Sequence, residues 1–409
     1  MNKRQKFCLF LIIFFILIFI SEIFYRRPLY DLSVQYISKI KQEGFFHNFY
    51  IFWSKYFLSI INISGILITN LFYPLHVFFS HISVQAISGS INGLLKSIYS
   101  NERPYWDIYI QNDSKNIQMP KPTECAFGFG NPSGHSMSST YILYLWNLFI
   151  SSNFFNKMKG KKKIIIKYVT LILSIISIIF VTYSRINRQV HSFNQIIYGT
   201  LLGTAIFLFF CYTIKINTIN YEEFMKILNK YKFFAIPFLF VLYITSLIIG
   251  LTRHNDNEEQ YQYILSKYCN ANKNLFKNKR PYTSARLFLV IGGYFGLLLL
   301  NYKINKYYKN LENRIFNWNK GEKLKTLKIL IFGFGLSFIH LLVPNFISSY
   351  FYAYFVFSII INFFVGLFSM GIYFYYACEL FIVDKNLDTG TDIEDPIILS
   401  EENKNNDNE

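Results

Sequence analysis

The sequence predicts an all-α polytopic membrane protein with about nine to ten transmembrane helices. Apolar stretches of spanning length recur along the whole chain of 409 residues, charged residues make up only 16 %, and aromatics reach 20 %. Lysine and arginine collect in short segments between the apolar runs, which is the pattern of orientation signals. The net charge of +17 therefore does not point to nucleic acid, because a binding face would gather its basic residues on one surface. Cysteines at 8, 125, 211, 269 and 378 show no metal-ligand spacing.

Met1–Lys6 is basic, and Phe7–Phe24 is one apolar run interrupted only by Ser21 and Glu22. No small-residue cleavage site follows and Arg26-Arg27 comes next, so residues 1–27 are expected to be a retained anchor rather than a cleaved signal. Residues 28–57 place Tyr30, Leu32, Val34, Ile37 and Ile40 loosely at helical spacing, which predicts an amphipathic interfacial segment. Leu58–Tyr73 and Leu75–Leu95 are two expected spans parted at Pro74. The second carries Ser80, His81, Ser83, Gln85 and Ser88, and polar residues within a span usually face the bundle interior.

A polar stretch, Asn101–Asn131, comes next, then spans at Gly134–Ile150, Ile164–Val181 and Ile196–Ile214. Four more are expected at Phe233–Leu251, Arg286–Leu300, Leu327–Val343 and Tyr350–Tyr376. Residues 58–214 then form the candidate core, 215–383 hold additional helices, and 384–409 are an acidic, Asn-rich tail without apolar periodicity, expected to be disordered. Met1–Lys6, Ser151–Lys163, Lys215–Lys232 and Asn301–Lys325 are the densest in basic residues, and alternation of the spans puts all four on one side. The positive-inside rule makes that side, with the C-terminal tail, cytosolic. Asn101–Asn131 and Ser184–Asn194 fall on the other side, as does the glycosylation sequon Asn112-Asp113-Ser114. Cys125 and Cys269 share that side too; a disulfide between them is open, since spacing does not give their distance.

Three polar constellations lie on that face. Lys96 and Arg103 stand seven residues apart, about two helical turns, with Pro104, Tyr105 and Trp106 after them. They read either as a snorkelling boundary pair or as a point charge and a planar fork for phosphate oxygens. Pro132-Ser133-Gly134-His135 opens an apolar segment. Ser133 reads as an N-cap, or, with the Gly134 amide, as part of an anion-holding turn whose histidine titrates near neutral pH. Ser184-Arg185 precedes His191 by six residues, with Gln195 four beyond; Arg185 offers another fork and His191 a nucleophile.

Lys-x6-Arg-Pro, Pro-Ser-Gly-His and Ser-Arg-x5-His, in that order, resemble the signature of the phosphatidic acid phosphatase type 2 superfamily. It includes lipid phosphate phosphatases, glucose-6-phosphatase and vanadium haloperoxidases. The match covers roughly residues 58–210 and implies that family's helical bundle. The resemblance implies a phosphomonoester phosphatase working through a phosphohistidine, with no cofactor and no metal. Lys96, Arg103, Ser133, Gly134 and Arg185 would hold the phosphoryl oxygens, His135 would be the general acid and His191 the nucleophile. The family usually has Asp four residues after the nucleophile. Here Gln195 stands there, able to accept from the imidazole without adding charge. Glucose-6-phosphatase is similar in tolerating Gln at that place and in the run Arg103-Pro104-Tyr105-Trp106. A sugar phosphate is the expected substrate, a lipid phosphate entering from the bilayer the alternative. A weakly active or inactive transporter or scaffold of the same fold is the alternative of another class. By resemblance the membrane is that of the endoplasmic reticulum, with the site lumenal.

Overall fold

The computed structural model describes residues 3–40, 43–72, 75–111, 125–126, 128–153, 160–213, 221–252, 257–269, 287–307 and 351–367. Among these residues all regular structure is helical: α1 (Lys3–Ile37), α2 (Gly44–Ile51) running into a π-helical turn at Phe52–Phe57, α3 (Leu58–Phe72), α4 (Leu75–Tyr99), α5 (Pro104–Gln111), α6 (Gly134–Asn153), α7 (Lys161–Asn187), α8 (Phe193–Thr213), α9 (Tyr221–Thr252), α10 (Glu258–Cys269), α11 (Leu287–Tyr307) and α12 (Phe351–Leu367). The sequon at 112–114, the span expected at 327–343 and the tail at 384–409 lie outside the described residues.

The chain is a membrane protein. Among the described residues four segments are long and apolar enough to cross a bilayer: Gln5–Ile37, Lys161–Asn187, Phe193–Cys211 and Glu223–Gly250. The apolar stretch Leu287–Leu299 is shorter. Large apolar side chains such as Ile164, Ile165, Ile172, Leu173, Phe233 and Val241 point outward from α7 and α9, as a lipid-facing surface requires. This count, made on the described residues alone, does not confirm the nine to ten spans expected for the whole chain. One physical reason is visible in α4 and α6, which are long but line the interior with polar groups and so lose mean hydropathy. In α4, Ser80, His81, Ser83 and Ser88 are buried, as their place in a span suggested, and α6 buries Ser136, Ser139 and Thr140.

Helix α6 packs against both α7 and α8, which follow it in sequence, so Gly134, Arg185 and Phe193 share one end of the bundle while Lys161–Lys163 mark the other. Contact between α6 and α8 is close because Gly199 and Gly203 present no side chain. A Cβ on Gly199 would strike the Ser133 carbonyl and one on Gly203 the Met137 carbonyl. Two apolar cores flank α4. One joins it to α6 and α8 through Val84, Leu95, Met137, Ile142, Tyr198 and Leu202. The other joins it to α9 and α11 through Phe79, Ala86, Phe224, Leu239, Leu287 and Ile291.

Residues 28–57 divide between two elements. At 35 residues α1 is about 50 Å long, more than a bilayer core needs, and it runs on through Pro28 to Ile37. Pro28 cannot donate an intrahelical bond, but the part beyond it is held from outside. Tyr30 Oη donates to Asp107 Oδ2 at 3.1 Å, and Ser33 Oγ accepts from the Phe193 amide at 2.8 Å. The α2 segment with its π-helical turn lies against α7, where Phe49 and Trp53 meet Phe180 at ring-centroid distances of 5.6 and 5.1 Å. His47 and Ser54 are buried there.

Candidate active site

Lys96 lies in the last turn of α4 and is half-buried. After Tyr99 the chain turns at Ser100, in the left-handed region with φ 48°, and Pro104 starts α5 where its missing N–H costs nothing. Arg103, between them, is buried. Its Nε donates to Gly128 O at 2.7 Å, Nη1 to Val190 O at 2.7 Å and Nη2 to Phe129 O at 3.1 Å. Nη1 also lies 3.3 Å from His191 Nε2. Arg103 thus ties the loop before the Pro-Ser-Gly-His turn to the segment that carries His191. Burial lowers its pKa to about 10, so it stays a cation near neutral pH.

The Pro-Ser-Gly-His turn is anchored from four sides. Asn131 Nδ2 donates to Glu22 Oε1 at 2.8 Å, and Glu22 is itself buried and paired with Arg26 (Nη2 to Oε2, 2.6 Å). Gly130 N donates to Asn101 O at 2.8 Å, Asn92 Nδ2 to Pro132 O at 3.3 Å, and Ser133 N to Gln195 O at 2.9 Å. Ser133 is the N-cap of α6. Its Oγ accepts from Ser136 Oγ at 2.9 Å and from Ser136 N at 3.4 Å, and its carbonyl accepts from Met137 N at 3.1 Å. The amides of Gly134 and His135 come before the first intrahelical bond, so the positive end of α6 is open at these two residues.

At the end of α7 the chain reverses through Gln189, in the left-handed region with φ 58°. The amides of Val190 and His191 both return to Arg185 O, at 3.2 and 3.4 Å, so His191 folds back over Arg185. The imidazole is buried; its Nδ1 lies 3.0 Å from Gln195 Oε1. Gln195 Nε2 donates to Glu102 O at 2.8 Å, which fixes the amide with its oxygen toward the ring. Oε1 can only accept, so Nδ1 carries the proton and Nε2 keeps its lone pair, facing Arg103. Gly130 is required beside this amide, because a Cβ there would collide with the Gln195 side chain. Gln195 therefore touches all three constellations: Glu102 beside Arg103, Ser133 of the turn, and His191.

Burial, then the charges of Arg103, Arg185 and Lys96, hold the His191 pKa well below the ordinary imidazole range; the Gln195 bond opposes them. The ring is neutral near neutral pH. His135 lies in the field of Arg185, Arg188, Lys96 and Arg103. The expected residues are thus brought together: Lys96, Arg103, Arg185, His135 and His191 act on one another, with Ser133, Gly134 and Gln195 at their edge. Arg103 spends its nitrogens on carbonyls and the ring of His191, and Ser133 caps a helix with its backbone N–H on Gln195.

Other participants were not singled out by sequence. Glu22 looked like an interruption of an apolar anchor, although a carboxylate within a span is a signal of a buried partner. Arg188 stood inside the third motif without a role. Ser54 Oγ accepts from Arg188 Nη1 at 2.7 Å and from Arg185 Nη1, and His47 Nδ1 lies 3.1 Å from Asn187 Oδ1. Cys125 and Cys269 form a disulfide, Cα–Cα 5.9 Å. With the Trp106–Tyr261 stack at 4.5 Å it fixes α10 over α5 and the Arg103 loop.

The PAP2 superfamily matches residues 75–219. Glucose-6-phosphatase catalytic subunit 1 of Felis catus is 28% identical over 168 residues, 39% of this chain and 46% of that protein. Glucose-6-phosphatase 2 of Homo sapiens is 27% identical over 176 residues, 40% of this chain and 48% of that protein. The Bos taurus catalytic subunit 1 is 28% identical over 168 residues, 39% of this chain and 46% of that protein. The chain spans about half the length of the curated relatives it matches. No solved structure matches it significantly. Residues 75–219, the segment that the PAP2 superfamily matches, hold all three constellations.

Proposed function

We propose that the chain is an integral membrane phosphomonoester phosphatase, glucose-6-phosphatase-like, that acts through a phosphohistidine on the lumenal side of the endoplasmic reticulum, its C-terminal tail cytosolic. One observation carries the reading: two histidines share a cationic pocket, and Gln195 holds one of them with Nε2 unprotonated. A phosphoryl transition state needs charge neutralisation above all, and each well-placed donor contributes about 3–4 kcal/mol. Lys96, Arg103, Arg185, Ser133 and the open amides of Gly134 and His135 supply it to the phosphoryl oxygens, Arg103 from beside His191 Nε2.

In the first step His191 Nε2 forms a bond to phosphorus while the ester P–O bond breaks. His135 gives its proton to the leaving alcohol, and the bound dianion offsets the surrounding cations so that this histidine can carry that proton. Gln195 Oε1 keeps the Nδ1–H in place as the ring gains positive charge. In the second step neutral His135 takes a proton from water, whose oxygen attacks phosphorus. The P–N bond breaks and inorganic phosphate leaves. No step calls on a metal or cofactor. The Cys125–Cys269 disulfide on the face of the site supports an oxidising, extracytosolic compartment.

The purified full-length protein in detergent, given glucose 6-phosphate and phosphatidic acid in parallel, tests the substrate class. Release of phosphate from the sugar ester at the higher kcat/KM is expected. Release from the lipid alone would transfer the assignment to the lipid phosphatases, and release from neither would end the phosphatase reading.

A further inference from the structure

We propose that Glu22 of α1 is a positioning residue for the reaction: through Asn131 it holds the Pro-Ser-Gly-His turn, and with it His135, in place against His191. The assignment rests on the phosphatase reading above. It extends the working site to a helix outside residues 75–219, the segment that the PAP2 superfamily matches.

A carboxylate in an apolar helix is costly unless its oxygens are paired, so its partners tell what it is there for. Glu22 is fully buried. Arg26, one turn on in the same helix, meets it with a two-nitrogen fork, Nε at 2.8 Å from Oε1 and Nη2 at 2.6 Å from Oε2. That pair is local to α1. Oε1 accepts one bond more, from Asn131 Nδ2 at 2.8 Å, and this one leaves the helix. A carboxylate paired with a guanidinium only accepts, so it also fixes which way the Asn131 amide faces. The other acceptor for Nδ2, Asn101 Oδ1, is farther at 3.4 Å, and Asn131 Oδ1 is buried without a hydrogen-bond partner among the described residues. The nitrogen, held by Glu22, therefore sets the place of this side chain.

The position of Asn131 is felt at both histidines. On one side Pro132 and Ser133 lead directly into Gly134 and His135. On the other side stands Gly130, where even a Cβ would collide with the Gln195 side chain, whose Oε1 lies 3.0 Å from His191 Nδ1. A shift of Asn131 thus moves His135 and presses on the amide that sets the His191 tautomer. The Glu22–Arg26 pair also reaches the first constellation. Arg26 lies over the Tyr99 ring at 4.8 Å, three residues past Lys96, and Tyr99 Oη lies 3.0 Å from Tyr198 Oη, beside Gly199. Farther along α1, Tyr30 donates to Asp107 of α5, and Ser33 accepts from the Phe193 amide two residues past His191. One helix therefore braces all three constellations, and Glu22 is its hold on the turn that carries the general acid.

The test uses the full-length protein in detergent, with p-nitrophenyl phosphate and glycerol phosphate as substrates and inorganic phosphate titrated calorimetrically. Glu22→Ala should lower kcat by about 10- to 100-fold. Phosphate affinity and KM should weaken by only about three-fold, since the cations stay and only the Gly134 and His135 amides shift. Glu22→Asp, too short to reach Arg26 and Asn131 together, should fall between it and the wild type. The loss should be about ten-fold greater on glycerol phosphate, whose leaving alkoxide needs the proton of His135, than on p-nitrophenyl phosphate. Asn131→Ala should cost about as much as Glu22→Ala, and the double variant no more than the larger single loss. Wild-type kcat in a folded Glu22→Ala protein overturns the assignment; if that variant does not fold, wild-type kcat in Glu22→Asp does so. Equal losses on the two esters, or losses that multiply in the double variant, would make Glu22 a brace of the fold alone and refute its positioning role. A wild type that binds phosphate and hydrolyses neither ester fails the phosphatase reading instead. The hold of Glu22 on the turn is then read from calorimetry, and wild-type phosphate affinity in Glu22→Ala overturns it.

Discussion

Helices α6 and α8 meet across two glycines, and so do α11 and α12, yet the two contacts serve different ends. Gly199 and Gly203 let α8 approach the backbone of α6 at Ser133 and Met137, where the polar turn carrying His135 begins. Around them lie buried Asn92, Asn131, Ser133, Ser136, Gln195 and Glu22, each tied to a specific partner. Gly292 and Gly366 bring α11 against the carbonyl of Phe363 and α12 against that of Leu289, in surroundings of Leu, Val, Ile and Phe. In the first region close packing fixes the positions of the polar groups gathered around His135 and His191; in the second it joins apolar helices into a wall. That wall reaches the site through α4, which faces both cores; a separate route runs from α10, bound by the disulfide to the loop before the Pro-Ser-Gly-His turn.

The sharpest way to break this comparison is to overpack both contacts alike. Gly203→Leu and Gly292→Leu should each destabilise the protein by about 1–3 kcal/mol, read by thermal unfolding in detergent. Their activities should diverge. Separating α6 from α8 moves His135 relative to His191, and a shift of about 1 Å costs roughly 100-fold in turnover. The Gly292 variant should keep the wild-type specific activity per folded molecule within about two-fold. Equal losses of activity would mean that the second region takes part in positioning the site.

A smaller effect on turnover is expected at the α10 route. The disulfide joins residues separated by 144 in sequence, and replacing both cysteines by serine should lower stability by about 2–5 kcal/mol. Turnover should fall several-fold, because Gly128 O and Phe129 O, only a few residues from Cys125, would hold Arg103 less firmly. Unchanged turnover in the double variant, measured below its unfolding temperature, would show that α10 braces the fold without reaching His191.

The parts of the site that the sequence displayed are those whose chemistry is local. Lys96 and Arg103 lie seven apart and Arg185 and His191 six apart, and a Pro-Ser-Gly turn before an apolar run marks a helix start. Each is a spacing that one helix end or one turn converts directly into geometry. What stayed hidden depends on pairing across the chain or on backbone groups. Glu22 meets Asn131 across 109 positions, and Ser54 meets Arg188 across 134. The commitment of Arg103 to three carbonyls leaves no trace in residue identity. Hydropathy similarly signalled the lipid-facing α7 and α9 but says less about α4 and α6, whose polar interiors lower it.

The central claim is that His191 becomes phosphorylated. Brief reaction of the detergent-solubilised protein with a radiolabelled phosphomonoester, an alkaline quench and peptide mapping would measure it directly. The account predicts one acid-labile, alkali-stable label on the peptide carrying His191, absent from His191→Ala together with phosphate release. A label on another residue, or His191→Ala turning over like the wild type, would contradict it.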